Sequence, residues 1–150
     1  MCGQDRTFVA LEPIFIENMD TIPDRDLTHV MYAYGIRNLG NPELHAAFEK
    51  RLEQMADSLD YPSMFNAVYY MLFRENANEQ IWRKIVTNVT NKEEILPIIY
   101  YRPFKASKLF LRQQFPDWEL EDYVDKFYHA EQYFAVVKYD AYYESDLAYT

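Results

Sequence analysis

The 150-residue sequence has little of what builds disulfide frameworks, thiolate metal sites or loop-rich β proteins. It contains one cysteine, Cys2, and only three glycines. A single thiol can neither close an internal disulfide nor supply a thiolate metal site, so we expect a reducing compartment. With 49% hydrophobic residues, the scarcity of glycine argues against disorder and favours a helical domain.

The chain also lacks long apolar runs and an excess of positive charge. Runs such as ILPIIYY are far shorter than the roughly 20 residues that span a bilayer, so we expect no transmembrane segment. The first residues lack the cationic start of a secretory signal, and we expect none. The formal net charge of -9 means that the surface as a whole repels phosphate, which disfavours general nucleic-acid binding.

The stretch LTHVMYAYGIRNLGNPELHAAFEKRL, residues 27–52, indicates a helical hairpin. Its apolar residues follow helical spacing on both sides of a Gly-Asn-Pro corner. Gly40 suits the left-handed position after a helix, Asn41 suits an N-cap, and Pro42 suits the first helical turn. One helix should therefore stop near Leu39 or Gly40, and the next should run to about Ser58.

The same pattern recurs about 37 residues later, a period typical of helical-hairpin arrays. Residues 61–74 and 78–88 form the second predicted hairpin. Seven apolar positions of the first hairpin each match an apolar residue 37 positions later. In order, Leu27, Val30, Met31, Tyr34, Leu44, Phe48 and Leu52 match Met64, Ala67, Val68, Met71, Ile81, Ile85 and Val89. Because Met71 replaces Tyr34 in the second unit, we interpret these aromatic residues as core and not as a ligand site.

A third, atypical unit is predicted after residue 90. Thr90 and Glu93 have capping-box spacing before the run ILPIIYY, and RPFKASKLFLRQQF is expected to be the antiparallel partner helix. Pro116 and Asp117 then predict a stop and a new cap, followed by a long helix from Trp118.

The resulting prediction is an all-α fold, a short right-handed helical-hairpin stack resembling an α-solenoid, with extended arms at both ends. The predicted organisation is an extended N-terminal arm over residues 1–25, a helical-hairpin repeat domain over residues 26–134, and a tyrosine-rich acidic C-terminal arm over residues 135–150.

Residues 27–88 resemble the α-helical hairpin repeats of octotricopeptide and FAST-kinase-like mitochondrial proteins. An apolar helix with small residues among aromatic ones, MYAYGIRNLG, meets a helix that opens with an acidic-leucine pair, PELHAAFEKRL. The resemblance implies a stacked α-solenoid fragment, mitochondrial residence and, in the longer relatives, RNA binding along the concave face.

Enzymatic signatures are absent from the sequence. The three histidines, His29, His45 and His129, are scattered; His129 lies four residues after Asp125, the spacing of a ligand pair on one helical face, but no third or fourth ligand accompanies them. No Gly-rich phosphate loop or nucleophile motif occurs. We therefore expect no enzyme activity, no cofactor and no metal.

Two features are candidate binding sites. A basic stripe without intervening acids consists of Arg102, Lys105, Lys108 and Arg112. It could hold phosphate, in RNA or in anionic lipid, or pair with acidic residues of this chain or of a partner, and we favour the pairing. The second candidate is the C-terminal arm with Tyr139, Tyr142, Tyr143 and Tyr149, because tyrosine is enriched in protein interfaces.

These features together predict a non-catalytic accessory subunit that binds other protein subunits of a larger mitochondrial complex, whether respiratory, ATP-synthase or ribosomal. The alternative is an organellar RNA-binding module that uses the basic stripe.

Overall fold

The computed structural model describes residues 3–94, 96 and 98–123, which fall into two compact units divided after Asn91. The first unit contains five helices: α1 (Gly3–Glu17), α2 (Asp24–Arg37), α3 (Pro42–Met55), α4 (Tyr61–Phe73) and α5 (Glu79–Asn91). In the second, a short 3₁₀ turn (Ile98–Tyr100) leads into α6 (Tyr101–Gln114). Every regular element in the described residues is helical, which confirms the predicted all-α class.

The helices of the first unit form two layers. Helix α2 packs against α4 in one layer, and α1, α3 and α5 lie side by side in the other. Aromatic side chains meet between the layers: the rings of Tyr34 and Phe48 are 5.9 Å apart and those of Phe48 and Tyr70 are 5.7 Å apart. This is the stacked-hairpin architecture that the sequence pattern predicts.

The 37-residue repeat is present in the backbone. Helices α2 and α4 begin at Asp24 and Tyr61, and α3 and α5 begin at Pro42 and Glu79, so both pairs are offset by 37 positions. Of the predicted pairs, six are buried in both members and only Val30, opposite Ala67, is half-exposed. The periodic apolar positions therefore form the core of the stack, as predicted.

The two corners between paired helices have the same hydrogen bonds. Leu39 N donates to Tyr34 O at 3.0 Å, and Asn76 N donates to Met71 O at 2.9 Å. The residue just before each donor, at position 38 or 75, has a left-handed φ of 51° or 48°. The left-handed residue that directly follows α2 is thus Asn38, while Gly40 in the same corner also has a positive φ, and α2 ends two residues before the predicted stop.

Each corner also caps the helix that follows it. Asn41 Oδ1 accepts the amide of Leu44 at 2.8 Å, and Asn78 Oδ1 accepts the amide of Ile81 at 3.2 Å. A short polar side chain in this position satisfies an amide that has no partner within the first helical turn. The predicted N-cap at Asn41, with Pro42 in the first turn, is confirmed.

The prediction of an extended N-terminal arm is wrong, because residues 3–17 form α1 despite Pro13 in its interior. The rings of Phe8 and Phe15 pack edge-on against Tyr34 at 4.9 and 6.0 Å, and the Tyr34 hydroxyl donates to the Phe8 carbonyl at 2.6 Å. An interior proline costs a helix about 3 kcal/mol, and tertiary packing offsets that cost here.

The predicted third hairpin is also wrong. Thr90 lies within α5, where its hydroxyl donates to the Val86 carbonyl at 2.7 Å, so it does not open a new helix. The 3₁₀ turn at Ile98 runs directly into α6, without the predicted corner before Arg102. Of the long helix predicted from Trp118, the structure describes only residues 121–123 as helical.

Gly40 tests the corner geometry. It has a φ of 107°, and a Cβ there would lie 2.6 Å from His45 Nε2. We expect Gly40→Ala to lower the free energy of unfolding by about 2 kcal/mol or more, since strain and steric overlap act together. The control is Gly3→Ala, where a Cβ meets nothing within 4 Å. Urea unfolding checks both variants, and equal stabilities would contradict the geometry.

Candidate protein-binding surfaces

A ring nitrogen anchors each corner to the helix that follows. His45 Nε2 lies 2.8 Å from the Leu39 carbonyl, and Trp82 Nε1 donates to the Asn76 carbonyl at 2.7 Å. Trp82 and Asn76 each follow their counterparts by 37 positions. A histidine in the first hairpin and a tryptophan in the second thus make the same contact, because both donate a ring N–H to a corner carbonyl.

The contacts of His45 define its tautomer. A carbonyl can only accept, so Nε2 carries the proton, and Nδ1 accepts from the Tyr70 hydroxyl at 2.7 Å. Burial lowers the pKa of His45, and the positive charge of Arg74 lowers it further, although the bond to Leu39 opposes this. His45 is therefore a neutral structural residue that holds α3, α4 and the first corner together.

Helix α4 is apolar on all sides. Its sequence, YPSMFNAVYYMLF, has no charged residue, and its core-facing side chains are buried. The residues that remain at least partly accessible are also apolar: Pro62, Phe65, Tyr69, Leu72 and Phe73. Such a helix is typical of a protein interior, which makes this accessible side of α4 a candidate interaction surface.

Helix α2 extends this surface. We define the aromatic surface as Tyr32, Ile36, Phe65, Tyr69 and Phe73. Tyr32 lies at its centre, with ring distances of 6.4, 5.7 and 6.1 Å to Phe65, Tyr69 and Phe73. Ile36 is 54% exposed and Phe73 is 42% exposed. The helical spacing from Ile36 places the exposed Arg25 and His29 on the same side of α2, so the surface borders the positive charge of Arg25.

The aromatic surface repeats with the core, and the sequence interpretation missed it. Tyr69 lies 37 positions after Tyr32, and Phe73 lies 37 positions after Ile36. The period alone cannot separate a buried aromatic from an accessible one, because both recur. The available signal was the complete absence of charge from α4, which leaves that helix no polar side.

The basic stripe lies on α6, as its spacing predicts. Arg102, Lys105 and Arg112 are exposed and Lys108 is half-buried. The opposite side of α6 is buried through Tyr101, Pro103, Phe104, Ser107 and Leu111. Leu109, 59% exposed, projects among the cations. The structure thus places the four cations along the accessible side of one helix.

A hydrogen bond ties the start of the following segment to α6. The Ser107 and Tyr123 hydroxyl oxygens lie 2.7 Å apart, and both residues are buried. The proposed binding arm with Tyr139, Tyr142, Tyr143 and Tyr149 lies outside the described residues, as do Asp125 and His129. In the described part of the chain, no three His, Cys, Asp or Glu side chains are grouped as metal ligands. No helix described here has the length and apolarity needed to cross a membrane.

No protein-family model, curated protein or solved structure matches this chain. The aromatic surface and the basic stripe are therefore the basis for proposing a function.

The neutral state of His45 predicts a pH dependence of stability. Its pKa lies below the ordinary 6.5, so the unfolded chain takes up a proton more readily than the folded one as the pH falls through that value. The free energy of unfolding should therefore decrease from pH 7 towards pH 5 and level off below the folded pKa. His45→Gln should remove this contribution, as urea unfolding at each pH would show. An unchanged slope would contradict the neutral assignment.

Proposed function

We propose that this protein is a non-catalytic accessory subunit that binds neighbouring proteins of a larger assembly through its helical-hairpin stack. The observation that supports this most directly is the aromatic surface of α2 and α4. Aromatic side chains are enriched at the centres of protein interfaces, where they contribute large contact areas.

The partner that suits this surface is a protein segment with apolar side chains and acidic flanks. The rings and Ile36 offer apolar contact, and the positive charge of Arg25 on the same side of α2 favours negative charge nearby. Helices α2 and α4 pack directly against each other, and His45 of α3 bonds both the Leu39 carbonyl after α2 and the Tyr70 hydroxyl of α4, so little conformational entropy is lost when a partner binds.

A mitochondrial complex is the assembly that we propose, whether respiratory, ATP-synthase or ribosomal. The basis is the resemblance of residues 27–88 to octotricopeptide and FAST-kinase-like repeats. The 37-residue hairpin period seen in the helices is consistent with such repeats and does not bear on the compartment.

The alternative function is RNA binding by the basic stripe. Its support is the arrangement of Arg102, Lys105, Lys108 and Arg112 along the accessible side of α6. The net charge of -9 weighs against it, because the rest of the protein repels the phosphate backbone. Anionic lipid would meet the same cations, and we rank both below a protein partner.

The aromatic surface is tested by Ile36→Asp combined with Phe73→Asp. Two carboxylates in the middle of an apolar contact should abolish binding, since neither charge would be paired there. Mitochondria are isolated from cells that express the tagged protein, and their extracts are separated on a native gel. Wild-type protein is expected in a high-mass complex and the variant as free protein.

The matched control is Ile99→Asp, which places the same charge at a 70% exposed apolar position outside the aromatic surface and the basic stripe. It should remain in the complex. Circular dichroism checks that each variant is folded. If the double variant unfolds, the single variant Ile36→Asp replaces it in the same native-gel test. Retention of the folded variant in the complex would refute the proposed surface.

The RNA alternative predicts a different result. Affinity for single-stranded RNA should fall steeply with salt and disappear when all four cations of the basic stripe are changed to glutamate. We expect instead no salt-sensitive binding by the wild type. A steep salt dependence that the quadruple variant loses would favour the RNA function over the scaffold.

The C-terminal arm has its own test, the deletion of residues 139–150. If the arm contributes to partner binding, the truncated protein should leave the high-mass complex while its helical content, measured by circular dichroism, stays the same. Unchanged co-migration would show that residues 139–150 are dispensable for assembly.

A further inference from the structure

The outer side of α1 is apolar although α1 is the outermost helix of its layer in the described stack. Val9 is 44% exposed and Ile14 is 53% exposed, and Ala10 and Pro13 between them are also exposed. The helix packs its other side against α3 and Tyr34. A contiguous apolar patch on the accessible side of a helix is a candidate contact surface.

Two opposite charges border the patch. Arg6 lies one turn before Val9, Glu17 lies one turn after Ile14, and both are exposed. Together the six outer positions follow spacings of three and four residues, which places them on one side of the helix. The patch is thus an apolar centre with a cation at one end and an anion at the other.

This arrangement is complementary to itself. If a second α1 lies antiparallel against the first, so that Arg6 meets Glu17 of the other copy, then Val9 meets Ile14 and Ala10 meets Pro13. Each pair occurs twice, related by a two-fold axis, which is the geometry of an isologous contact. A parallel arrangement would instead place Arg6 against Arg6 and Glu17 against Glu17.

We propose that a second copy of this chain covers the patch, forming an antiparallel α1–α1 dimer. The charge pattern selects this occupant, because each end of the patch provides the partner that the other end needs. The contact extends the α1–α3–α5 layer across the dimer axis. It uses the layer opposite the one that carries the aromatic surface, and it does not depend on the proposed accessory function.

The dimer is expected to be weak. Two short helices that meet through four small or medium side chains bury less area than a standard stable interface. Association should therefore be measured by sedimentation equilibrium of the full chain, in low salt, at concentrations up to about 1 mM. The wild type should show a monomer–dimer equilibrium.

Charge exchange tests the register. Arg6→Glu alone and Glu17→Arg alone each place like charges in contact at both ends, so each should weaken dimerisation by about tenfold or more. An equimolar mixture of the two variants should associate again, since a mixed dimer pairs unlike charges at both ends. The double exchange, Arg6→Glu with Glu17→Arg, should also restore the dimer to within a few-fold of wild type.

Controls separate this surface from others. Ile14→Asp should abolish the dimer, whereas Ile99→Asp, at a 70% exposed position of the second unit, should leave it intact. Circular dichroism verifies that each variant is folded, and the charge exchanges serve if Ile14→Asp unfolds. A wild type that stays monomeric, or a dimer that neither single exchange weakens, would overturn the proposal.

Discussion

The hydrogen bond from a ring N–H to a corner carbonyl is the contact on which the hairpin stack depends. In each hairpin this bond joins the corner after one helix to the first turn of the next. The first hairpin uses His45 and Leu39, and the second uses Trp82 and Asn76. Leaving a fully buried carbonyl unpaired costs about 1–3 kcal/mol, and each ring removes the corresponding smaller cost at its half-buried corner.

Hydrogen bonds at the second corner connect the two neighbouring hairpins, α2–α3 and α4–α5. Glu49 on α3 accepts from Asn76 and Asn78 at 3.1 and 2.6 Å, and Glu53 also accepts from Asn78 at 3.0 Å. Asn88 on α5 donates to the carbonyls of Ala56 and Leu59, both at 3.0 Å. Polar side chains of one hairpin thus form hydrogen bonds with backbone carbonyls or a capping asparagine of the other hairpin. The stack is consequently specified by these bonds as well as by its apolar core.

Sequence reasoning succeeded where local and tertiary signals agree. At Asn41 and Pro42 the turn chemistry, the apolar spacing and the 37-residue offset all indicated one corner, and the structure contains it. It failed at Pro13 and Thr90, where a local rule was outweighed by packing or by continuation of a helix. The aromatic surface was missed because an apolar pattern alone does not distinguish a core position from an interface position. That difference depends on which neighbours the fold supplies.

The two layers of the first unit give the protein two independent surfaces. The aromatic surface belongs to α2 and α4, and the outer patch of α1 belongs to the layer of α1, α3 and α5. Residues of one surface do not occur in the other, so a partner and a second copy can bind together. An antiparallel dimer would then present two aromatic surfaces related by a two-fold axis. Two linked sites gain avidity on a partner that repeats its own motif, even when each single contact is weak. A short stack can in this way act as a scaffold without the length of a longer solenoid.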